Sequence, residues 1–224
     1  PEGVTHFRSA SEAGSGYSHV LLGIKPQMLS ELAGDVAPLL APGSTLLSIL
    51  AGTPVAKLQR LFPNMRCIRL MPNLAVRVGK SPLGFWGEGI LQADRDQLDA
   101  QFAPLGLPVW LDGEEQMDAF MALAGSGPGF VYRFIDALAA GGTALGLDPT
   151  LSAKLAKIMV EGSATLAAQS DDDPATLAAK VASPGGTTAV GLSVLDRDSA
   201  LAKLLAETLA ATAARSAEMP RELP

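Results

Sequence analysis

The feature that most constrains this chain is a change of rhythm near Asp112-Gly113. Before that point, short apolar runs closed by proline or glycine alternate with stretches whose apolar residues recur at helical spacing. His19 to Ile24 is such a run, ended by Lys25-Pro26 as a buried parallel strand would be. Gln27 to Leu40 has helical spacing and is closed by Pro42-Gly43. Ser44 to Leu50 predicts a second strand, and Val55 to Phe62 a short helix with Pro54 suited to its first position. Met65 to Met71 and Leu83 to Trp86 predict further strands, followed by a helix over Leu91 to Ala103 and a last strand over Pro108 to Leu111. Strands alternating with helices imply an α/β half with a mostly parallel sheet and helices on its faces.

After Asp112 no strand-like run follows. Glu114 to Ala124, Pro128 to Leu147, Pro149 to Ala168, Pro174 to Val181, Thr187 to Leu195 and Ser199 to Ala214 all have helical spacing and are rich in alanine and leucine. The expected organisation is an α/β domain over residues 1–112 and an all-α domain over residues 113–224. The stretches Val131–Ala144 and Leu151–Ala168 are apolar around much of their circumference, which predicts packing on more than one side. These few helices could hardly cover that surface themselves, so a dimer is expected, with a tight single-chain bundle as the alternative.

Composition removes several classes of function. The chain has 17 Lys and Arg against 23 Asp and Glu with no basic run, which argues against nucleic acid as a partner. Its apolar stretches are interrupted by Gly, Ser or charge, so none reads as a membrane span, and no secretory signal opens the sequence. A cytoplasmic protein is the simplest expectation. Cys67 stands alone in an apolar strand and reads as a small core residue. His6 and His19 lie near the N-terminus without a metal-ligand pattern, so no metal site and no Ser-His-Asp triad is expected. A catalytic site here must work by positioning and by backbone or hydroxyl hydrogen bonds. Transfer chemistry carried by an organic cofactor suits that limit.

Two segments in the helical half have the composition for such work. Ala182-Ser183-Pro184-Gly185-Gly186-Thr187-Thr188-Ala189-Val190-Gly191 combines a proline and paired glycines with three hydroxyls. It could aim several N–H and O–H groups at one anionic group such as a carboxylate. Alternatively, Thr187 or Thr188 caps the next helix. Gly125-Ser126-Gly127-Pro128-Gly129 reads as a second loop of the same character. In the first half, Ile24-Lys25-Pro26, Leu50-Ala51-Gly52 and Met71-Pro72-Asn73 fall at strand ends, where open parallel sheets bind ligands. Each taken singly is also an ordinary strand-to-helix turn.

In order along the chain, Gly-Ile-Lys-Pro-Gln, Ser-Ile-Leu-Ala-Gly, Arg-Leu-Met-Pro-Asn, Gly-Ser-Gly-Pro-Gly-Phe and Ser-Pro-Gly-Gly-Thr-Thr resemble the pyrroline-5-carboxylate reductases, from about Val20 to Arg221. That resemblance implies a Rossmann-type nucleotide-binding domain followed by a helical dimerisation domain, and reduction of a cyclic imino acid to proline, the last step of proline biosynthesis, with NADP or NAD as cofactor. It places Ile24, Lys25, Pro26, Ala51 and Gly52 against the nicotinamide and its ribose, with Met71 and Asn73 bordering the cleft. It assigns the substrate to Ser183, Gly185, Gly186, Thr187 and Thr188, with the Thr188 hydroxyl bonded to the ring nitrogen as the catalytic contact. It further implies that this loop serves the cofactor site of a partner subunit, so that a homodimer or larger assembly is the active form.

The sequence also departs from that pattern. The strand, G-x-G-x-x-G turn and helix with which such folds open are not matched, and Gly14-Ser15-Gly16 precedes a strand instead of following one. The sheet is therefore expected to be N-terminally incomplete and the chain to be part of a longer protein, with a variant that has lost its phosphate-binding element as the alternative. Leu74-Ala75-Val76 stands where the family usually has Thr-Pro-Ala, Gly129-Phe130 replaces Ala-Tyr, and Asp171 stands near a usual glutamate. A related imine or keto-acid reductase, or a catalytically silent helical dimer, are the alternatives these departures leave.

Overall fold

The structure is a computed structural model that describes residues 3–222. Its sheet has five strands in the order β1 (Tyr17–Leu22), β2 (Leu40–Ser48), β3 (Arg66–Met71), β4 (Ser81–Trp86) and β5 (Gly106–Trp110). β1, β2 and β3 pair in parallel, as do β4 and β5, whereas β3 and β4 are antiparallel. The connection lengths account for this mixture. Parallel neighbours need a crossover, and α1 (Leu29–Val36), α2 (Val55–Leu61) and α3 (Gln92–Phe102) provide three. Between β3 and β4 only a single 3-10 stretch, Leu74–Val78, intervenes, and it closes on left-handed Gly79 (φ 65°). The chain turns straight back.

Residues of β2 and β3 alternate between two apolar layers, as period-two side chains must. Leu46 and Cys67 face Leu22, Leu29, Val55, Leu58 and Phe62. Leu47, Ile68 and Leu70 face Leu83, Phe85, Ile90 and Leu98. Trp110 closes the second layer by stacking on Phe85 at 5.1 Å, with its indole N–H donated to Asp99 at 2.8 Å. A sheet buried on both faces explains why these strands read as continuous apolar runs.

Several element ends shift by about two residues, among them β1, β4 and β5, and the last helix runs on to Glu222, but the largest change among the strands is at the start of β2. β2 begins at Leu40, so the expected helix from Gln27 to Leu40 is a 3-10 turn (Pro26–Met28), α1 and a second 3-10 turn (Ala37–Leu39). Pro42-Gly43 does not stop the strand. It sits where the β1–β2 register jumps from Tyr17↔Leu40 to His19↔Thr45, and Gly43 (φ 76°) allows the bulge.

Beyond β5 the described residues are helical: α4 (Gln116–Phe120), a π-helical turn (Met121–Gly125), α5 (Gly127–Ala144), α6 (Pro149–Gln169), α7 (Pro174–Val181), α8 (Thr187–Asp196) and α9 (Ala200–Glu222). No helix among the described residues is long and apolar enough to cross a membrane. By internal contacts the chain forms two compact units, Pro1–Ser126 with Ala210–Pro224, and Gly127–Leu209. In the first unit the C-terminal end of the chain is fastened by the Ser216 hydroxyl, which donates to Asp118 at 2.6 Å. Within Gly127–Leu209 only Ser152 and Ala156 are buried, while Tyr132, Leu145, Leu151, Ile158, Leu166, Val190 and Leu204 are exposed.

Candidate active site

Register puts three of the expected segments on one edge of the sheet. Leu22 pairs with Ser48 and Ser48 with Arg69, so these residues lie in one row across β1, β2 and β3. Three residues beyond that row come Lys25, Ala51 and Pro72. Ile24-Lys25-Pro26, Ala51-Gly52 and Met71-Pro72-Asn73 therefore emerge together at the carboxyl ends of the parallel strands, where this topology binds ligands. Lys25 is exposed and Ile24, Pro26 and Ala51 are half-buried, whereas Gly52 and Met71 are buried. Gly52 takes φ 67°, a left-handed turn that a side chain would strain. The neighbouring Thr53 is fully buried, and its hydroxyl finds no hydrogen-bond partner among the described residues. An orphaned polar atom in this loop, beside the small residues Ala51 and Gly52, fits a nicotinamide–ribose group.

Asn73, expected to border the cleft, is held by three hydrogen bonds. Its Oδ1 accepts from the Ala75 N–H at 2.8 Å, capping the 3-10 turn, and its Nδ2 donates to the Ala124 carbonyl at 2.8 Å. Its own N–H donates to the Ser81 hydroxyl at 2.9 Å. The carbonyl it meets belongs to the π-helical turn, and the residue four positions on is Pro128, which has no N–H to donate to it. The expected loop Gly125-Ser126-Gly127-Pro128-Gly129 is thus corrected. Gly125 ends the π turn, Ser126 donates its N–H to the Met121 carbonyl at 2.8 Å, and α5 starts at Gly127.

Arg69 and Glu114 escaped the sequence reading. Arg69 is 8% exposed in the middle of an apolar strand, and its Nη1 meets Glu114 Oε1 at 2.9 Å. The same oxygen accepts the Val55 N–H at 2.9 Å. The signal was present, since an arginine flanked by Ile68 and Leu70 must find a carboxylate to be buried at all. Sequence alone could not say which one.

The hydroxyl-rich loop is built as a helix start. The Gly186 N–H donates to the Ser183 carbonyl at 2.9 Å across a turn in which Pro184 precedes left-handed Gly185 (φ 70°). Gly186 occupies the N-cap of α8, and no side chain caps the helix. The capping alternative for Thr187 and Thr188 is thereby corrected, because both lie inside the first turn. The first α8 helical bond runs from the Val190 N–H to the Gly186 carbonyl at 3.2 Å, so the preceding first-turn N–H groups have no helical acceptor. Ser183, Thr187 and Thr188 are exposed, and no described side chain bonds to their hydroxyls. One short stretch therefore presents free N–H groups, free hydroxyls and the positive end of a helix.

Just upstream, α7 is fixed at its start by Asp173. Its carboxylate accepts the Thr176 N–H at 3.0 Å and the Thr176 hydroxyl at 2.9 Å, and these bonds, the first foremost, lower its pKa from the ordinary aspartate value. Lys180 pairs with Asp172, and Asp171 is exposed. Among the described residues no cluster of His, Cys, Asp or Glu could hold a metal ion.

Residues 114–219 match the family described as pyrroline-5-carboxylate reductase dimerisation. The pyrroline-5-carboxylate reductase of Glycine max is 36% identical over 218 residues, 97% of this chain and 79% of that protein. That of Pseudomonas aeruginosa is 31% identical over 217 residues, 96% of this chain and 79% of that protein. Among solved structures, a pyrroline-5-carboxylate reductase from Coxiella burnetii superposes with a TM-score of 0.89 at 25% identity, covering 96% of this chain and 81% of that one. The pyrroline carboxylate reductase of Plasmodium falciparum, solved with NADP bound, gives 0.81 at 26% identity over 96% of this chain and 81% of that one. These matches cover nearly all of this chain and about four fifths of relatives with a common name, at 31% to 36% sequence identity for the two proteins above, and the chain belongs to the pyrroline-5-carboxylate reductase family.

Proposed function

We propose that this protein reduces 1-pyrroline-5-carboxylate to L-proline with NADPH or NADH, the last step of proline biosynthesis. The observation that carries the reading is the start of α8, where first-turn N–H groups and the hydroxyls of Thr187 and Thr188 are left without protein partners. That combination suits a small molecule with a carboxylate beside a basic ring nitrogen. Free N–H groups from Thr187 onward and the Ser183 hydroxyl hold the carboxylate, with Gly185 shaping the turn. Thr188 bonds to the ring nitrogen and so orients the imine carbon. The nitrogen can arrive already protonated, so the site needs no strong general acid. A hydroxyl and a helix dipole are sufficient.

Residues 1–112 carry the cofactor in this reading and residues 113–224 the substrate loop and the subunit interface. Ile24, Lys25, Pro26, Ala51, Gly52, Met71 and Asn73 line the nicotinamide and its ribose. Bound there, NAD(P)H supplies the hydride. Buried Gly52 lets the backbone approach the ring closely, and Asn73 holds the end of β3 in place through its two side-chain bonds. The assembly is a homodimer or a multiple of one, supported by the exposed apolar faces of Gly127–Leu209. The reading includes a cytoplasmic setting, to which a lone buried thiol is suited.

The test is an assay of the full-length protein, following the loss of NADPH or NADH absorbance on addition of pyrroline-5-carboxylate. Turnover that depends on the imino acid is expected. A protein that binds the nicotinamide and leaves pyrroline-5-carboxylate unreduced overturns the proposal.

A further inference from the structure

The loop from Ala51 to Val55 is held by a group that lies 59 residues beyond it. α2 begins at Val55, and its N-cap is Pro54, whose ring offers no oxygen to the first-turn N–H groups. A helix so started would leave the Val55 N–H unpaired in a position that is 1% exposed. Glu114 Oε1 supplies the missing acceptor at 2.9 Å. The same oxygen takes Arg69 Nη1 at 2.9 Å, and Arg69 stands on β3 in register with Ser48, the last residue of β2 before this loop. One carboxylate oxygen thus joins β3, the start of α2 and the segment that follows β5. The loop it secures contains left-handed Gly52 and fully buried Thr53, two features that relax if the end of the loop is released.

We infer that Glu114 is a positioning residue for cofactor binding, acting through the Val55 N–H to fix the Ala51–Pro54 loop, with Arg69 holding the carboxylate in place. The inference rests on the reading above that this loop touches the nicotinamide ribose. Its mechanism is preorganisation: a loop already in its bound shape spends no affinity on ordering. Glu114 does not touch the reacting atoms.

The test uses the full-length protein and three variants. Glu114→Ala removes the cap and leaves Arg69 unpaired. Glu114→Gln keeps a neutral oxygen for the Val55 N–H. The double variant Arg69→Met with Glu114→Leu replaces the ion pair by apolar groups, which restores packing without restoring the cap. NAD(P)H affinity is measured by calorimetry in the absence of imino acid, beside melting temperature and steady-state KM values. Glu114→Ala is expected to weaken NAD(P)H binding by about tenfold, leave the imino-acid KM within about twofold at saturating cofactor, and expose the Val55 amide to hydrogen exchange. Glu114→Gln should recover most of the affinity. The double variant should regain melting temperature and remain weak for cofactor. Unchanged cofactor affinity in Glu114→Ala, or affinity that returns in the double variant together with stability, overturns the inference and leaves Glu114 a purely structural group. If the unmodified protein binds no nicotinamide, the functional reading fails with it, and that failure is recognised because it precedes any variant.

Discussion

The Asn73 side-chain nitrogen donates a 2.8 Å hydrogen bond to the Ala124 carbonyl, a residue 51 positions further along the chain. This bond ties the carboxyl end of β3 to the π-helical turn that leads into α5. Asn73→Asp keeps the size and the acceptor facing Ala75 but turns the donor into a second acceptor. It sets a carboxylate oxygen against a carbonyl. The expected loss is about 1 kcal/mol of stability, the scale of one hydrogen bond lost at a half-buried position. Urea unfolding of both proteins checks this, and a variant as stable as the parent would show that the contact contributes nothing.

Thr188→Ala should lower kcat/KM for the imino acid by about one to three orders of magnitude, the scale on which losing one preorganised donor is felt. The hydroxyl is exposed and bonds to no described side chain, so stability should change by no more than about 0.5 kcal/mol. Thr187→Ala should have the smaller effect on turnover. A clear drop in melting temperature with turnover intact would return these threonines to a structural role.

The helices of Gly127–Leu209 bury only Ser152 and Ala156 while Ile158 and Leu166 stand 57% and 70% exposed. Apolar patches of that extent are normally covered by a partner. Sedimentation should report a dimer or larger species at micromolar concentration, and Ile158→Asp with Leu166→Asp should shift it toward monomer. A stable monomer in the unmodified protein rules the assembly out.

Burial raises the Cys67 thiol from 9.0 to about 11. The thiolate is the reactive form, so Cys67 should resist thiol reagents at pH 8 until the protein unfolds. The sign for stability follows from proton binding. Below pH 9 both states hold the proton and this group's contribution is complete. Between pH 9 and about 11 the unfolded chain releases it first, so stability falls as pH rises. Cys67→Ala should flatten that part of the decline, measured as the difference between the two proteins in denaturant midpoints from pH 8 to 11.

Much of the fold was legible because its causes are local. Leu46, Leu47, Cys67 and Ile68 are apolar on both faces of their strands, and a sheet covered on both sides requires that pattern. Proline and glycine marked most element ends correctly. They failed at Pro42-Gly43, where a bulge absorbs both residues inside β2, and at Gly125, where a π turn runs on into α5 with one residue between. At Pro42-Gly43 the local signal for a break was sound, and pairing with β1 decided otherwise.

The sequence by itself determined where strands give way to helices, which segments carry the hydroxyls and glycines of the proposed site, and, by its motifs, the family. Those properties reside in residue type and short-range spacing. Only the tertiary structure decided that β4 pairs antiparallel with β3, that Asn73 meets the Ala124 carbonyl, and that Glu114 completes a helix begun by Pro54. Each depends on groups far apart in the chain reaching hydrogen-bond distance, and a buried donor such as Arg69 or the Val55 N–H requires a partner without specifying where in the sequence it lies.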